Sequence, residues 1–139
     1  MSIAQIMSTR VVSVHMDDSL QSLRALFEAT GFHHLVVVQD NVMKGIISDR
    51  DLLKAVSPFV DTISERMLDR ATLDKKAHQI MTRNVITLTQ KDSIYTAIAL
   101  FNDNKISCIP VINEEAHPIG IVSWRDVMRF MQSRVEAKR

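Results

Sequence analysis

The feature that most constrains the fold of this chain is an internal repeat. Sliding the sequence against itself by 74 positions places IMSTRVVSV, residues 6–14, on IMTRNVITL, residues 80–88. One extra residue late in the second copy changes the offset to 75, and GIISDRD at 45–51 then aligns with GIVSWRD at 120–126. Because both copies keep the same order of motifs, the chain must be built from two similar supersecondary units.

Each copy predicts a β-α-β-β-α order of elements. β-branched runs predict six strands, at residues 11–14, 35–38, 45–47, 85–88, 109–112 and 120–122. Apolar residues on one helical face predict an amphipathic helix in each copy, through Leu20, Leu23, Leu26 and Phe27 and through Ile94, Ala97, Leu100 and Phe101. A copy of about 50 residues is too small to bury both faces of a sheet alone. The predicted fold class is therefore α/β of the α+β kind, with two pseudo-twofold-related motifs packed through their sheets.

The repeat boundaries predict four segments. They are motif 1 at 1–56, a helical linker at 57–77, motif 2 at 78–136 and a C-terminal tail at 137–139. Pro58 ends the preceding helix, and the spacing of Thr62 and Glu65 is that of a capping box, so we expect the linker to be largely helical.

Composition bears on partners and compartment. A net charge of +1 gives no global electrostatic reason to bind nucleic acid or an anionic membrane. No apolar stretch approaches the roughly 20 residues that span a bilayer, and no secretory signal is visible. The single Cys108 cannot form an internal disulfide, which fits a reducing compartment. We therefore expect a cytoplasmic protein.

The duplicated start M-[ST]…V-[VI]-[ST]-[VL] and the corner G-I-[IV]-S-x-R-D resemble the cystathionine β-synthase (CBS) domain, in a tandem pair of the Bateman type. The resemblance covers nearly the whole chain outside the linker and implies a stand-alone CBS-pair protein. Such pairs bind AMP, ADP, ATP or S-adenosylmethionine as regulatory ligands in clefts between the motifs. The resemblance thus implies a homodimer that regulates an unidentified partner protein and is not an enzyme.

The same resemblance implies which residues line the clefts, since each cleft joins the Ser/Asp corner of one motif to strands of the other. One cleft would contain Ser123, Asp126, Val12, Phe32, His33 and His34. The other would contain Ser48, Asp51, Thr82, Asn84, Ile86, Ile106, Ser107 and Cys108. A carboxylate at a helix start can accept hydrogen bonds from both ribose hydroxyls, while the serine and free amides of the first turn face a phosphate. The backbone at Val12 or Ile86 would read the adenine edge.

The two clefts differ in charge. His33 and His34 favour an anion in the first, whereas Ser107 and Cys108 are neutral. We expect a phosphorylated ligand to prefer the Ser123/Asp126 cleft, and the other to stay empty or take a less charged adenosine compound. Pro110 in the second repeat replaces Val36 of the first, so the local backbones should differ.

The main alternative is a ligand-free interaction module. Ser48-x-x-Asp51 and Ser123-x-x-Asp126 are also capping-box patterns, which can begin a helix without any ligand. Separately, the resemblance implies a dimer formed through helices, which makes the apolar face of VMRFM, residues 127–131, a candidate interface.

The sequence gives little support for a metal site or for a nucleophilic cysteine. Neighbouring His33 and His34 point to opposite faces of a strand and cannot easily share a metal ion, and the remaining histidines have no ligand spacing. Cys108 has no nucleophile signature around it and is better interpreted as a small buried residue.

Overall fold

The computed structural model describes residues 1–138 and shows the predicted mixed α/β class. The elements form two compact units. The first unit is Val12–Asn84, and the second unit is Met1–Val11 together with the chain from Val85 onward. Each unit therefore combines the sheet of one repeat with the first residues of the other repeat. We call these first residues, 1–11 and 78–84, the leading segments. Arg139, in the predicted tail, lies outside the described residues.

The first unit is built on a three-stranded sheet with two main helices. Its elements are β1 (Ser13–His15), α1 (Leu20–Thr30), β2 (His34–Gln39), β3 (Val42–Ser48) and α2 (Asp49–Ala55). Strand β1 pairs parallel with β2, and β2 pairs antiparallel with β3. A two-residue turn of type I′ joins β2 to β3, since Asp40 and Asn41 have φ angles of 52° and 64°.

The linker is helical only in its second half. It contains α3 (Met67–Ala71) and a 3₁₀ turn at Thr72–Asp74, and α4 (Ala77–Ile80) begins where the linker ends. The predicted capping box at Thr62 and Glu65 is wrong. The Thr62 hydroxyl instead donates to the Phe59 carbonyl at 2.6 Å. Helix α3 begins later, where the Arg66 amide donates to the Asp69 carboxylate at 2.8 Å.

The second unit has a smaller sheet. After a 3₁₀ turn at Ile3–Gln5, its elements are α5 (Ile94–Asp103), β4 (Cys108–Ile112), β5 (Pro118–Ser123) and α6 (Trp124–Ala137). Strands β4 and β5 pair antiparallel. Among the described helices of both units, none is long and apolar enough to cross a membrane.

The strand predicted at 85–88 is absent, and Pro110 explains why. In the first unit the Val36 amide donates to the Val12 carbonyl at 3.0 Å, which extends the parallel pairing. Pro110 occupies the equivalent position and has no amide hydrogen. Only a single parallel bridge therefore remains, between Leu88 and Val111.

The predicted helical faces form the cores. In the first unit Leu20, Leu23 and Phe27 of α1 are buried against the sheet residues Leu35 and Val37. The second unit buries its equivalents Ile94 and Ala97, with Leu100 and Phe101 partly buried. None of the described polar or charged residues is buried.

The glycine of each corner is required by a leading segment. A Cβ atom on Gly45 would lie 2.7 Å from the Thr82 carbonyl oxygen, and one on Gly120 would lie 3.1 Å from that of Ser8. Both contacts arise because the leading segment pairs with the edge strand. Thr82 bridges Ile46, and Ser8 bridges Ile121. The shared glycine thus has a packing role that involves no ligand.

Candidate functional site

The first corner is a complete capping box. Ser48 ends β3 and is the N-cap of α2. Its amide donates to Asp51 Oδ2 at 2.8 Å, and the Asp51 amide donates to Ser48 Oγ at 3.1 Å. The structural role that the alternative interpretation predicted is therefore present.

The second corner repeats this arrangement with one additional bond. The Ser123 amide donates to Asp126 Oδ2 at 2.8 Å, and the Asp126 amide donates to Ser123 Oγ at 3.3 Å. The Ser123 hydroxyl also donates to Asp126 Oδ2 at 3.1 Å. Within the described residues, Ser48 makes no matching hydroxyl bond to Asp51.

Capping leaves each carboxylate with acceptor capacity. Every hydrogen bond that these two carboxylates accept ends on Oδ2, and Oδ1 of Asp51 and of Asp126 has no hydrogen-bond partner within residues 1–138. An ionised carboxylate has about four lone-pair positions. The same acid can therefore cap its helix and accept from a ligand hydroxyl.

The variable position of the G-I-[IV]-S-x-R-D motif contacts the residues that lead into β2 in the first unit and into β4 in the second. In the first unit Asp49 Oδ2 lies 2.9 Å from His33 Nδ1, and the Asp49 amide donates to the His33 carbonyl at 2.9 Å. In the second unit Trp124 Nε1 donates to the Ile106 carbonyl at 3.1 Å. The sequence interpretation missed both contacts, because the variable position is an acid in one repeat, Asp49, and an indole in the other, Trp124.

These contacts correct one part of the predicted phosphate site. The first-turn amides were expected to be free, but the Asp49 and Asp51 amides are already bonded in α2. In α6 the amides of Trp124 and Asp126 are bonded in the same way. Fewer backbone donors are available to an anion than the sequence predicted.

A carboxylate and burial both alter the electrostatics around His33 and His34. The hydrogen bond from His33 lowers the pKa of the Asp49 carboxyl, so this acid stays ionised beside the imidazole. Burial lowers the pKa of His34, and the neighbouring carboxylates of Asp49 and Asp51 offset this only in part. The ionised carboxylate of Asp49 and the lowered pKa of His34 both make this corner less favourable to a phosphate than the sequence predicted.

Cys108 begins β4 and is buried, as predicted. Burial raises the pKa of its thiol to about 12, so the thiolate is not formed near neutral pH. The residue can contribute shape to a site but not a nucleophile. Within the described residues, no three His, Cys, Asp or Glu side chains are grouped to hold a metal ion.

The backbone groups of Val12 and Ile86, which were predicted to contact the adenine edge, differ in their hydrogen bonding. The Val12 carbonyl already accepts from the Val36 amide, whereas Pro110 cannot donate to Ile86 in the same way. The Ile86 carbonyl is therefore free of this sheet bond.

Asp126 lines a cavity of about 370 Å³ within the second unit. The other lining residues are Met1, Gln5, Ile6, Arg129, Phe130 and Ser133. Three of them lie with Asp126 on one face of α6, at spacings of three, four and seven residues. Sequence reasoning did not single out Arg129, although a basic residue follows the corner acid by three positions in both repeats, as Lys54 and Arg129.

The fourteen predicted site residues divide between the units. The first unit contains Val12, Phe32, His33, His34, Ser48, Asp51, Thr82 and Asn84. The second unit contains Ile86, Ile106, Ser107, Cys108, Ser123 and Asp126. The pairing of residues from different units in one cleft stays a prediction.

Comparison with known sequences decides the family. The sequence profile of the CBS domain matches residues 3–58 and 77–133. The chain belongs to the CBS domain family. A CBS domain-containing protein of Dictyostelium discoideum is 30% identical over 93% of this chain and 90% of its own length.

Other relatives contain a CBS pair within a longer protein. An uncharacterized protein of Methanocaldococcus jannaschii is 31% identical over 91% of this chain, which spans 42% of that relative. A homoserine O-acetyltransferase of Methanosalsum zhilinae is 31% identical over 94% of this chain, but the match covers only 24% of the enzyme. The similarity to this enzyme is thus confined to about a quarter of its length.

Solved structures show the same CBS-pair fold. The CBS domain pair of protein MJ0100, in complex with 5′-methylthioadenosine and S-adenosyl-L-methionine, has a TM-score of 0.76 and 25% identity. That alignment covers 96% of this chain and 98% of the other. Protein MJ1225 of Methanocaldococcus jannaschii has a TM-score of 0.82 and 23% identity, over 96% of this chain and 51% of that one.

Proposed function

We propose that this CBS pair is a regulatory module that binds an adenosine-containing small molecule at its Ser/Asp corners. The observation that carries the proposal is the free Oδ1 atom of the two corner acids, Asp51 and Asp126. Each acid is fixed in place by its capping box and can accept from a ribose diol. The ligands of protein MJ0100 are adenosine compounds, which supports this class.

A ligand that binds one arrangement of the protein better than another shifts the population toward that arrangement. This is the means by which a module without a catalytic centre would act on a partner protein. We propose such a regulatory role rather than an enzymatic one, and a cytoplasmic location. AMP, ADP, ATP and S-adenosylmethionine are the proposed ligands, with the corner at Asp126 preferred by a phosphorylated one.

Titration calorimetry with AMP, ATP and S-adenosylmethionine on wild type, Asp51→Asn and Asp126→Asn tests the proposal. Asparagine keeps one oxygen that can accept the capping bond, but it removes the charge and replaces the second oxygen by an NH2 group that cannot accept from a ribose hydroxyl. At least one variant should lose about 10-fold or more in affinity, since a hydrogen bond to a charged group contributes about 1.5–3 kcal/mol. The free energy of unfolding should also rise with ligand, by ~2.7 kcal/mol when the free ligand concentration is 100 times the dissociation constant.

Unchanged affinity in both variants would contradict the role of the acids. Failure of wild type to bind any of the three compounds would leave the alternative, a ligand-free interaction module. That alternative is supported by the completed capping boxes and by exposed apolar residues on α6. In either case we propose a homodimer, with α6 at its interface.

A further inference from the structure

We propose that Arg129 is the residue that makes the Asp126 corner selective for an anionic nucleoside ligand. The inference rests on the proposed function and names the ligand class of that same site. It follows from three properties of the second unit: the bonding of Ser123, the cavity beside Asp126, and the unpaired guanidinium of Arg129.

Ser123 is poorly placed to bind a phosphate by itself. Its hydroxyl has one hydrogen to donate, and that hydrogen is directed to Asp126 Oδ2 at 3.1 Å. Two amides of the first turn of α6 are also bonded, to the Ser107 carbonyl and to Ser123 Oγ. An anion at this corner therefore needs another donor.

Arg129 lines the same cavity as Asp126, one helical turn further along α6. Side chains three positions apart on a helix have Cβ atoms about 5–6 Å apart. An arginine side chain at that distance can reach a phosphate on a nucleoside whose diol is held by the acid. Gln5 and Ser133 add neutral polar groups to the cavity, and Ile6 and Phe130 add apolar ones.

The simplest structural explanation for Arg129 is an ion pair with Asp126. Opposite charges at this spacing commonly pair and stabilise a helix. Within the described residues no such pair forms, and Arg129 has no hydrogen bond or ion pair at all. Its guanidinium is therefore available to a ligand.

The volume of the cavity is that expected for a small-molecule site. A cavity of about 370 Å³ falls within the roughly 300–1,000 Å³ of small-molecule sites. The pattern is also repeated, because Lys54 follows Asp51 at the same spacing in the first repeat.

Calorimetry with AMP and adenosine as paired probes tests the inference. Arg129→Gln should weaken AMP binding about 10- to 100-fold, because charge-assisted hydrogen bonds to phosphate are lost, and should leave adenosine binding within about 2-fold. Arg129→Lys should retain most of the AMP affinity. Arg125→Gln is the matched control, since it removes the same charge from an exposed position of α6 outside the cavity.

The outcomes separate the inference from the function on which it rests. Equal losses for AMP and adenosine in Arg129→Gln, or a loss as large in Arg125→Gln, would overturn the role of Arg129. Wild-type AMP affinity in Arg129→Gln, with both ligands lost in Asp126→Asn, would also overturn it while leaving the proposed function intact. If wild type binds neither compound, both fail. Circular dichroism on each variant confirms that the fold is kept.

Discussion

His34 shows how a single position changes the chemistry of otherwise matched corners. It is the first residue of β2 and pairs with Ser48, while its counterpart Cys108 pairs with Ser123. The first corner thus contains a titratable imidazole where the second has a buried thiol. The repeat alignment revealed this difference from sequence, but the bonding of Asp49 to His33 required the folded backbone.

The first prediction at this scale concerns pH. Because burial lowers the pKa of His34 below its usual 6.5, the unfolded chain binds a proton more readily than the folded one. The contribution of His34 to stability is complete above pH 6.5 and is lost as the pH falls below it. Urea unfolding between pH 7.5 and 5 should show a smaller decline for His34→Gln than for wild type, and equal declines would contradict this.

Gly45 is the second residue with a specific consequence. A Cβ atom there would meet the Thr82 carbonyl at 2.7 Å and Met81 Sδ at 2.7 Å. Gly45→Ala should therefore lower the free energy of unfolding by about 1–3 kcal/mol, as overpacking does. Lys44→Ala, at an exposed position of the same strand, is the control, and denaturant midpoints give the comparison. A Gly45→Ala variant as stable as this control would show that the leading segment can move away.

At the scale of elements, prediction succeeded where hydrophobic periodicity was strong. The apolar faces of α1 and α5 are buried as the spacing indicated. It failed where one backbone group decides the outcome. A β-branched run at 85–88 predicts a strand, yet a missing amide at Pro110 reduces it to one bridge. The Thr62–Glu65 pattern likewise predicted a cap, but these side chains bond to turns instead.

The candidate site was partly predictable for the same reason. The repeated Ser and Asp were visible in the alignment, and the structure places them at equivalent helix starts. Arg129 was not identified, because its significance depends on a cavity between α6 and the N-terminal segment. Only the fold brings Gln5 and Ile6 to that face.

At the scale of the whole molecule, the exposed face of α6 bears on assembly. Trp124, Met128, Met131 and Val135 are 58%, 66%, 48% and 56% exposed and recur along one side of the helix. Of the predicted segment 127–131, only Met128 and Met131 belong to this face. Val127 packs into the core, and Phe130 lines the cavity.

Met128→Glu should weaken the proposed homodimer, because a charge in an apolar contact must be desolvated. Sedimentation should show at least a 10-fold higher dissociation constant than for wild type. Ala137→Glu adds the same charge on the opposite side of α6 and should leave association unchanged. A wild-type chain that is monomeric at micromolar concentration would remove the dimer, and equal effects of the two variants would remove this face.

The exchange of leading segments between the units also sets an order for folding during synthesis. Residues 1–11 are made long before their partners in the same unit, such as Ile121, which bridges Ser8. The first sheet, by contrast, waits only for Thr82 before its edge is covered. During synthesis the first sheet can therefore be completed while residues 1–11 still lack the strand with which they pair.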